Sequence, residues 1–589
     1  MTTGSRMPAK PALRRILLST LLLLIASAAI VTASWDSTSG RFYLDSEGHF
    51  RSIPYFREPS LSLEKIHDTI FNNPYPAAQR PIPTLSFLIE NHLIGLTPRS
   101  GRIINTLIHC LNIIILFFLC RRLLIHFGQK PQMAERAALL AALLWGLNPF
   151  HADTVFYVIQ RMTLLSASFY LLGVIAYLRT RESPRSWIWW SALTASFIAG
   201  IASKENAALL PLGLLVLEFV LPADRIGGPE ARRKRLAWLL GAVLVLPSLG
   251  AIALGYNPAQ LIQGLLQDSG NRVFTNTERL LTQGRVLMHY LSLLFFPHPD
   301  RLTFVLKYPL SHSLFTPITT LLSWGGIALL LVTSSLRIRR QPLLWLAIFW
   351  FFINHLLEST FIQLEMAFVH RNYLPSIFLF LPIACWLARQ KKNQLVTVVP
   401  TVIVMVLFLV SWNSRALVWG DPTKFWEDSV EKAPGSLRAY INLGIIWDIK
   451  GKPAKALEIY RQGANNGYNE NSVAWASLYC NMGIASMHLG QYGPAQRYMS
   501  KSLGYSALPD CLINLAKLYL KLDNPGMAMR AMDELARGWP RHRKLHLMRA
   551  RAYLAVGQIA AARMELQREL ALFPENREAQ NLLLTISRQ

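Results

Sequence analysis

Apolar runs of about 20 residues, the length that crosses a bilayer as a helix, fill the first two-thirds of the chain and then stop. The pattern predicts eleven membrane helices, near 16–34, 103–123, 136–149, 160–179, 187–202, 206–222, 236–255, 315–335, 342–357, 373–388 and 395–412. A further stretch, 279–296, is apolar but carries Arg279, Arg285 and His289. Charge at bilayer depth is costly, so this stretch reads as an interfacial or re-entrant helix. After Trp412 the pattern becomes that of amphipathic helices, and self-similarity appears at a period of about 34 residues.

Within that period, small residues recur where paired helices must approach closely. Leu443-Gly444 is followed by Trp447, Ala456 and Tyr460, and Met482-Gly483 by Ala495. Leu515-Ala516 is followed by Tyr519 and Ala528, and Ala550 by Tyr553, Ala562 and Pro574. This is the tetratricopeptide spacing, and stacked helix pairs of this kind bind extended peptides or partner proteins. The expected architecture is all-α. A polytopic membrane domain over 1–412 precedes an α-solenoid of about four repeats over 413–589.

Composition agrees with a membrane body. Of 589 residues, 52% are hydrophobic and 16% charged, too apolar for an ordinary soluble protein. Sixty Lys and Arg against 34 Asp and Glu give net charge +26. In a membrane protein such an excess marks cytoplasmic loops rather than a nucleic-acid partner. The basic loops are Arg121-Arg122 through Arg136, Arg179 through Arg185, Arg232 through Arg235, Arg337 through Arg340, and Arg389 through Lys392. Placing all five inside puts the amino terminus in the cytoplasm, and 35–102, 149–159, 256–314, 358–372 and the repeats outside. Arg14-Arg15 ahead of the first apolar run also fits a secretory signal, but an anchor keeps the alternation of the later loops consistent. The five Cys show neither metal-site spacing nor a disulfide framework.

Polar residues gather at the outer face. Asp45 and Glu47 follow the first helix in Tyr43-Leu44-Asp45-Ser46-Glu47; such acids supply a general base or are simply solvated charge. In Asn148-Pro149-Phe150-His151-Ala152-Asp153 a helix break at Pro149 exposes His151 and Asp153, where Asp153 acts in a site or caps the next helix. Gln160-Arg161, Ser203-Lys204-Glu205-Asn206, Arg285, Glu358 and His370-Arg371-Asn372-Tyr373-Leu374-Pro375 complete the set. Guanidinium pairs phosphate through two hydrogen bonds, so Arg161, Arg285 and Arg371 can converge on an anionic head group. Taken singly, each also fits contact with bulk lipid phosphate, and Lys204 with Glu205 fits a simple pair.

In their shared order these motifs, together with Arg80-Pro81, Leu85-Ser86-Phe87, Asn105, His109 and Asn112, resemble the membrane-bound tetratricopeptide glycosyltransferases of the class C superfamily. That family includes the animal transmembrane and tetratricopeptide-repeat O-mannosyltransferases and their bacterial relatives. The resemblance implies a polyprenyl-phosphate sugar donor used at the exocytoplasmic face of a bacterial inner membrane, with a protein hydroxyl as acceptor. It places Asp45 at the acid of the first outer loop and Asp153 at that of the second. Relatives commonly carry two adjacent acids at the first position. Here Ser46 intervenes before Glu47, which leaves both the role of Glu47 and a divalent metal open. Substrate or lipid-phosphate binding then falls to His151, Arg161, Lys204, Glu205, Arg285, Glu358, His370 and Arg371. Two other readings compete with this one: a noncatalytic envelope scaffold, and a transferase that modifies glycan or lipid.

Overall fold

The computed structural model describes residues 9–52, 61–72, 79–183, 187–222, 228–253, 257, 263, 272–360, 362, 364–390 and 394–587. Arg185, Lys391 and Lys392 of the basic loops lie outside these. The protein is all-helical, with no strand among the described residues. It divides into two compact units, Met1–Ser269 with Phe274–Phe425, and Gly270–Val273 with Trp426–Gln589.

In the first unit, helix starts follow local chemistry. Thr97 and Ser100 form a reciprocal capping box, with Pro98 in the first turn, and launch Pro98–His126. Thr275 and Glu278 do the same for Asn276–Phe295. Five described helices are long and apolar enough to cross a bilayer: Arg14–Ala33, Pro98–His126, Val158–Glu182, Thr319–Leu336 and Thr397–Gly420. Trp187–Ile201 and Pro342–Ile353 are apolar but shorter. Leu17, Leu21, Val402, Val406 and Val410 are exposed, an apolar surface suited to lipid contact.

Two elements differ from expectation, and a third shows how its charge is met. The run at 373–388 is helical only over Leu381–Arg389, because Pro375 restricts Leu374 and removes a backbone donor. The run at 395–412 continues as Gln394–Gly420. The stretch near 279–296 is the helix Asn276–Phe295, with the Arg279 side chain fully buried against protein. The next helix approaches it so closely that a Cβ on Gly284 would lie 2.6 Å from the Trp324 indole nitrogen.

In the second unit, helices pair as Leu437–Ile449 with Pro453–Asn466, Ser472–His488 with Tyr492–Tyr505, Pro509–Lys521 with Pro525–Gly538, and Leu545–Ala555 with Ile559–Leu572. Arg577–Ser587 follows alone. The small residues pack as the repeat requires: Ala456, Ala495, Ala528 and Ala562 are fully buried. Gly444 faces the Tyr460 ring, which a Cβ would strike. The turns within three of the pairs carry left-handed glycines, Gly451, Gly490 and Gly557, and Asp523 takes that conformation in the remaining pair.

Candidate active site

Four side chains from three separate segments meet in the first unit. Lys204 lies just beyond Trp187–Ile201, Glu358 lies in the turns after Pro342–Ile353, and His370 and Arg371 stand on the short helix Val369–Asn372. Lys204 Nζ is 2.9 Å from Glu358 Oε1 and donates to Thr163 Oγ1 at 3.3 Å. The Arg371 guanidinium donates to the Glu365 carbonyl at 2.8 Å and lies over the Phe368 ring. His370 stacks on that ring, with centroids 4.9 Å apart. All four residues are buried. Lys204, His370 and Arg371, together with Asn206, Thr163 and Ser166, line a cavity of about 10 Å³, room for about one water molecule.

The cluster is cationic. Burial alone would raise the Glu358 carboxyl, but Lys204 and Arg371 hold it well below the usual carboxylate range. It is therefore ionised at neutral pH, one negative charge against two positive. Burial, reinforced by Lys204, pushes the His370 imidazole well below its ordinary value, so it is neutral. Its Nδ1 and the Arg371 Nε are buried without a hydrogen-bond partner. Unpaired buried polar atoms beside surplus positive charge suit an anionic group.

The loop carrying Glu358 is held from behind. Arg279 donates to the carbonyls of Glu358, Thr360, Leu364 and Glu365, at 2.8, 2.8, 2.6 and 3.2 Å. Gln283 donates to the Met366 carbonyl at 2.8 Å. The Tyr290 hydroxyl exchanges hydrogen bonds with both backbone groups of Phe368. Arg279 thus binds protein carbonyls at a charge that the sequence marked only as costly.

Asp45 opens the helix Asp45–Ser52 and its side chain is exposed. Its backbone N–H donates to the Tyr157 hydroxyl at 3.1 Å, and the Tyr157 and His370 rings lie 6.5 Å apart. Ser46 is buried, its Oγ accepting from the Ile159 N–H at 3.2 Å, whereas Glu47 is half-buried. The residue in place of a second acid therefore ties the loop to the 157–160 turn. Arg80 reaches Glu205 through two hydrogen bonds, of 3.0 and 2.9 Å. Lys204 and Glu205 do not pair with each other; each has its own partner.

Several expected binding residues are engaged elsewhere. Arg161 is completely buried, 2.6 Å from Glu90 and bonded to Asn105, so its charge is met inside the protein. Asp153 Oδ1 accepts from Arg415 Nε and Nη2 and from Trp419 Nε1, at 3.1, 3.0 and 2.6 Å. With three donors on that oxygen, Asp153 anchors the helix Gln394–Gly420. His151 is buried against Trp145 and Tyr373, in a polar network where Tyr373 meets His109 and Asn112. Arg285 binds the Pro309 carbonyl and Ser311, away from the four-residue cluster. Arg415, Trp419 and Tyr157 were not anticipated. Trp412, Arg415 and Trp419 share one helical face at i, i+3 and i+7, a signal obscured where Asn413-Ser414-Arg415 ends the apolar run. Among the described residues no three metal-ligating side chains form a group.

Residues 81–250 match the family model described as dolichyl-phosphate-mannose-protein mannosyltransferase. The mouse protein O-mannosyl-transferase TMTC3 is 28% identical over 124 residues, covering 21% of this chain and 12% of that protein. Human protein O-mannosyl-transferase TMTC4 is 27% identical over 231 residues, covering 36% of this chain and 31% of that protein. The matched segments therefore span less than a third of these relatives' length. Among solved structures, MamA from Desulfovibrio magneticus is 20% identical, with a TM-score of 0.23, over 26% of this chain and 82% of that chain. The family-model match includes Arg80's neighbour Pro81 and continues through Lys204, and it supports the resemblance to membrane O-mannosyltransferases read from the motifs.

Proposed function

We propose that the protein is an integral-membrane glycosyltransferase. It moves a sugar from a polyprenyl-phosphate donor to a hydroxyl of an envelope or secreted protein at the exocytoplasmic face of a bacterial inner membrane. The observation that carries this reading is the buried Lys204–Glu358–His370–Arg371 cluster, whose surplus positive charge and unpartnered Arg371 Nε suit a phosphate.

In this reading the surplus charge of Lys204 and Arg371 stabilises a donor phosphate that approaches the cluster from outside its one-water cavity, and Glu358 keeps the Lys204 amine in place. The acceptor oxygen attacks the anomeric carbon from the side opposite the phosphate. The carbon–phosphate-oxygen bond breaks as the new glycosidic bond forms, and the electron pair stays on the leaving phosphate, where the two cations stabilise it. Asp45, exposed beside the Tyr157 contact, takes the hydroxyl proton. Inversion at the anomeric carbon follows from a single displacement. Glu47 lies half-buried on the same short helix and assists acceptor binding. Asp153 positions the wall that bears Trp419. The repeats bind the acceptor protein.

The test is sugar transfer by the purified full-length protein from polyprenyl-phosphate-mannose to envelope protein of a gene-deletion strain. Lys204→Met and Arg371→Gln are each expected to reduce transfer about a hundredfold, the scale on which a transition-state charge contact is lost. Unchanged transfer in both would exclude the cluster as the phosphate site. Absence of transfer by the parent protein with mannose, pentose and amino-sugar donors alike would favour the scaffold reading.

A further inference from the structure

At one end of the helix bundle of the first unit, a cavity of about 500 Å³ opens between the segment after Pro98–His126, the start of Pro342–Ile353 and the helix Leu381–Arg389. Arg340, Arg389, Gln129 and Gln341 line it, and no acidic residue does. Both arginines are exposed, and neither has an ion-pair partner among the described residues. The same cavity is walled by apolar groups, with Trp386 60% and Ile383 38% exposed at its rim. Two uncompensated guanidinium groups beside exposed apolar surface match an anionic head group joined to acyl chains.

Position supports a lipid rather than a soluble anion. Pro342–Ile353 has 12 residues, so it spans about 18 Å at roughly 1.5 Å per residue. Glu358 follows its far end, and the cavity lies at its start. Thr319–Leu336, long and apolar enough to span, also ends just before Arg340. Helix termini of spanning segments lie at head-group level, and basic pockets between such helices bind anionic lipid.

We propose that this cavity is a binding site for an anionic glycerophospholipid, seated with its phosphate on Arg340 and Arg389 and its acyl chains along Trp386 and Ile383. The site lies at the opposite end of Pro342–Ile353 from the Lys204–Glu358 cluster, and the proposal requires only that this unit sits in a bilayer, not that it transfers sugar.

Native mass spectrometry of the detergent-solubilised full-length protein tests the site, with dioleoylphosphatidylglycerol, dioleoylphosphatidylcholine, polyprenyl phosphate and inorganic phosphate titrated separately. Phosphatidylglycerol is expected to bind about tenfold more tightly than phosphatidylcholine, and the Arg340→Gln/Arg389→Gln protein to lose that preference. Arg340→Lys/Arg389→Lys is expected to keep most of it, and Arg233→Gln, an exposed arginine on the helix Gly228–Ala253, all of it. Equal affinity for the two phospholipids would overturn the proposal, as would a preference that survives the double Gln change or is lost equally with Arg233→Gln. Inorganic phosphate competing at equal concentration would assign the site to a soluble anion, and polyprenyl phosphate displacing phosphatidylglycerol at equal concentration would assign it to the carrier lipid. Either result overturns the glycerophospholipid assignment.

Discussion

Arg415 and Asp153 are both buried, so removing either leaves the other uncompensated, at a cost of roughly 3–5 kcal/mol. Asp153→Asn is therefore expected to lower the thermal midpoint of the detergent-solubilised protein, and Asp153→Asn/Arg415→Met to restore part of the loss. An unchanged midpoint in the single variant would contradict the pairing. Titration gives a second test at this scale. The folded state binds a proton at His370 less readily than the unfolded chain, because burial lowers its pKa. The stability this neutral imidazole contributes is fully present above about pH 6.5 and is lost as pH falls below it. Thermal midpoints should fall on acidification, and His370→Asn should flatten that fall; parallel curves would contradict the burial. Sequence reading found Lys204, Glu358, His370 and Arg371 as separate polar signals but also grouped Arg161 with them. The Arg161–Glu90 pair joins distant segments, and nothing in local spacing marks that a guanidinium is already occupied.

The helix Asn276–Phe295 holds the backbone of Glu358, Thr360, Leu364, Glu365, Met366 and Phe368. Arg279, Gln283 and Tyr290 make these bonds. Arg279→Met removes four carbonyl contacts, and hydrogen exchange across 358–368 is expected to accelerate while exchange in the repeat helices stays as it was. Unchanged protection of 358–368 would show that the clamp does not order this loop. The sequence marked Arg279 as out of place in an apolar run and read its helix as interfacial or re-entrant. Its partners are main-chain carbonyls, which have no side-chain signature, so their position was not legible. The repeats were readable because their packing depends on small residues at fixed intervals, and Ala456, Ala495, Ala528 and Ala562 are all fully buried.

At the scale of the whole molecule, an all-helical chain with a membrane portion and a helical-repeat portion followed from hydropathy and period alone. Among the described residues five helices meet the length and apolarity needed to span, and two further apolar helices are shorter. Orientation rests on the basic loops. Alkaline phosphatase fused after the last repeat is expected to be active and a cytoplasmic reporter at the same point inactive; the reverse pattern would remove the repeats from the proposed acceptor side. The central claim is sugar transfer to protein with Asp45 as the base. Its most direct test is intact-mass measurement of envelope proteins from cells carrying the parent gene, its deletion, or Asp45→Asn. A protein heavier by one sugar in the parent strain is expected to lose that increment in both other strains. Identical masses in all three, with the Asp45→Asn protein present at parental abundance, would contradict the claim.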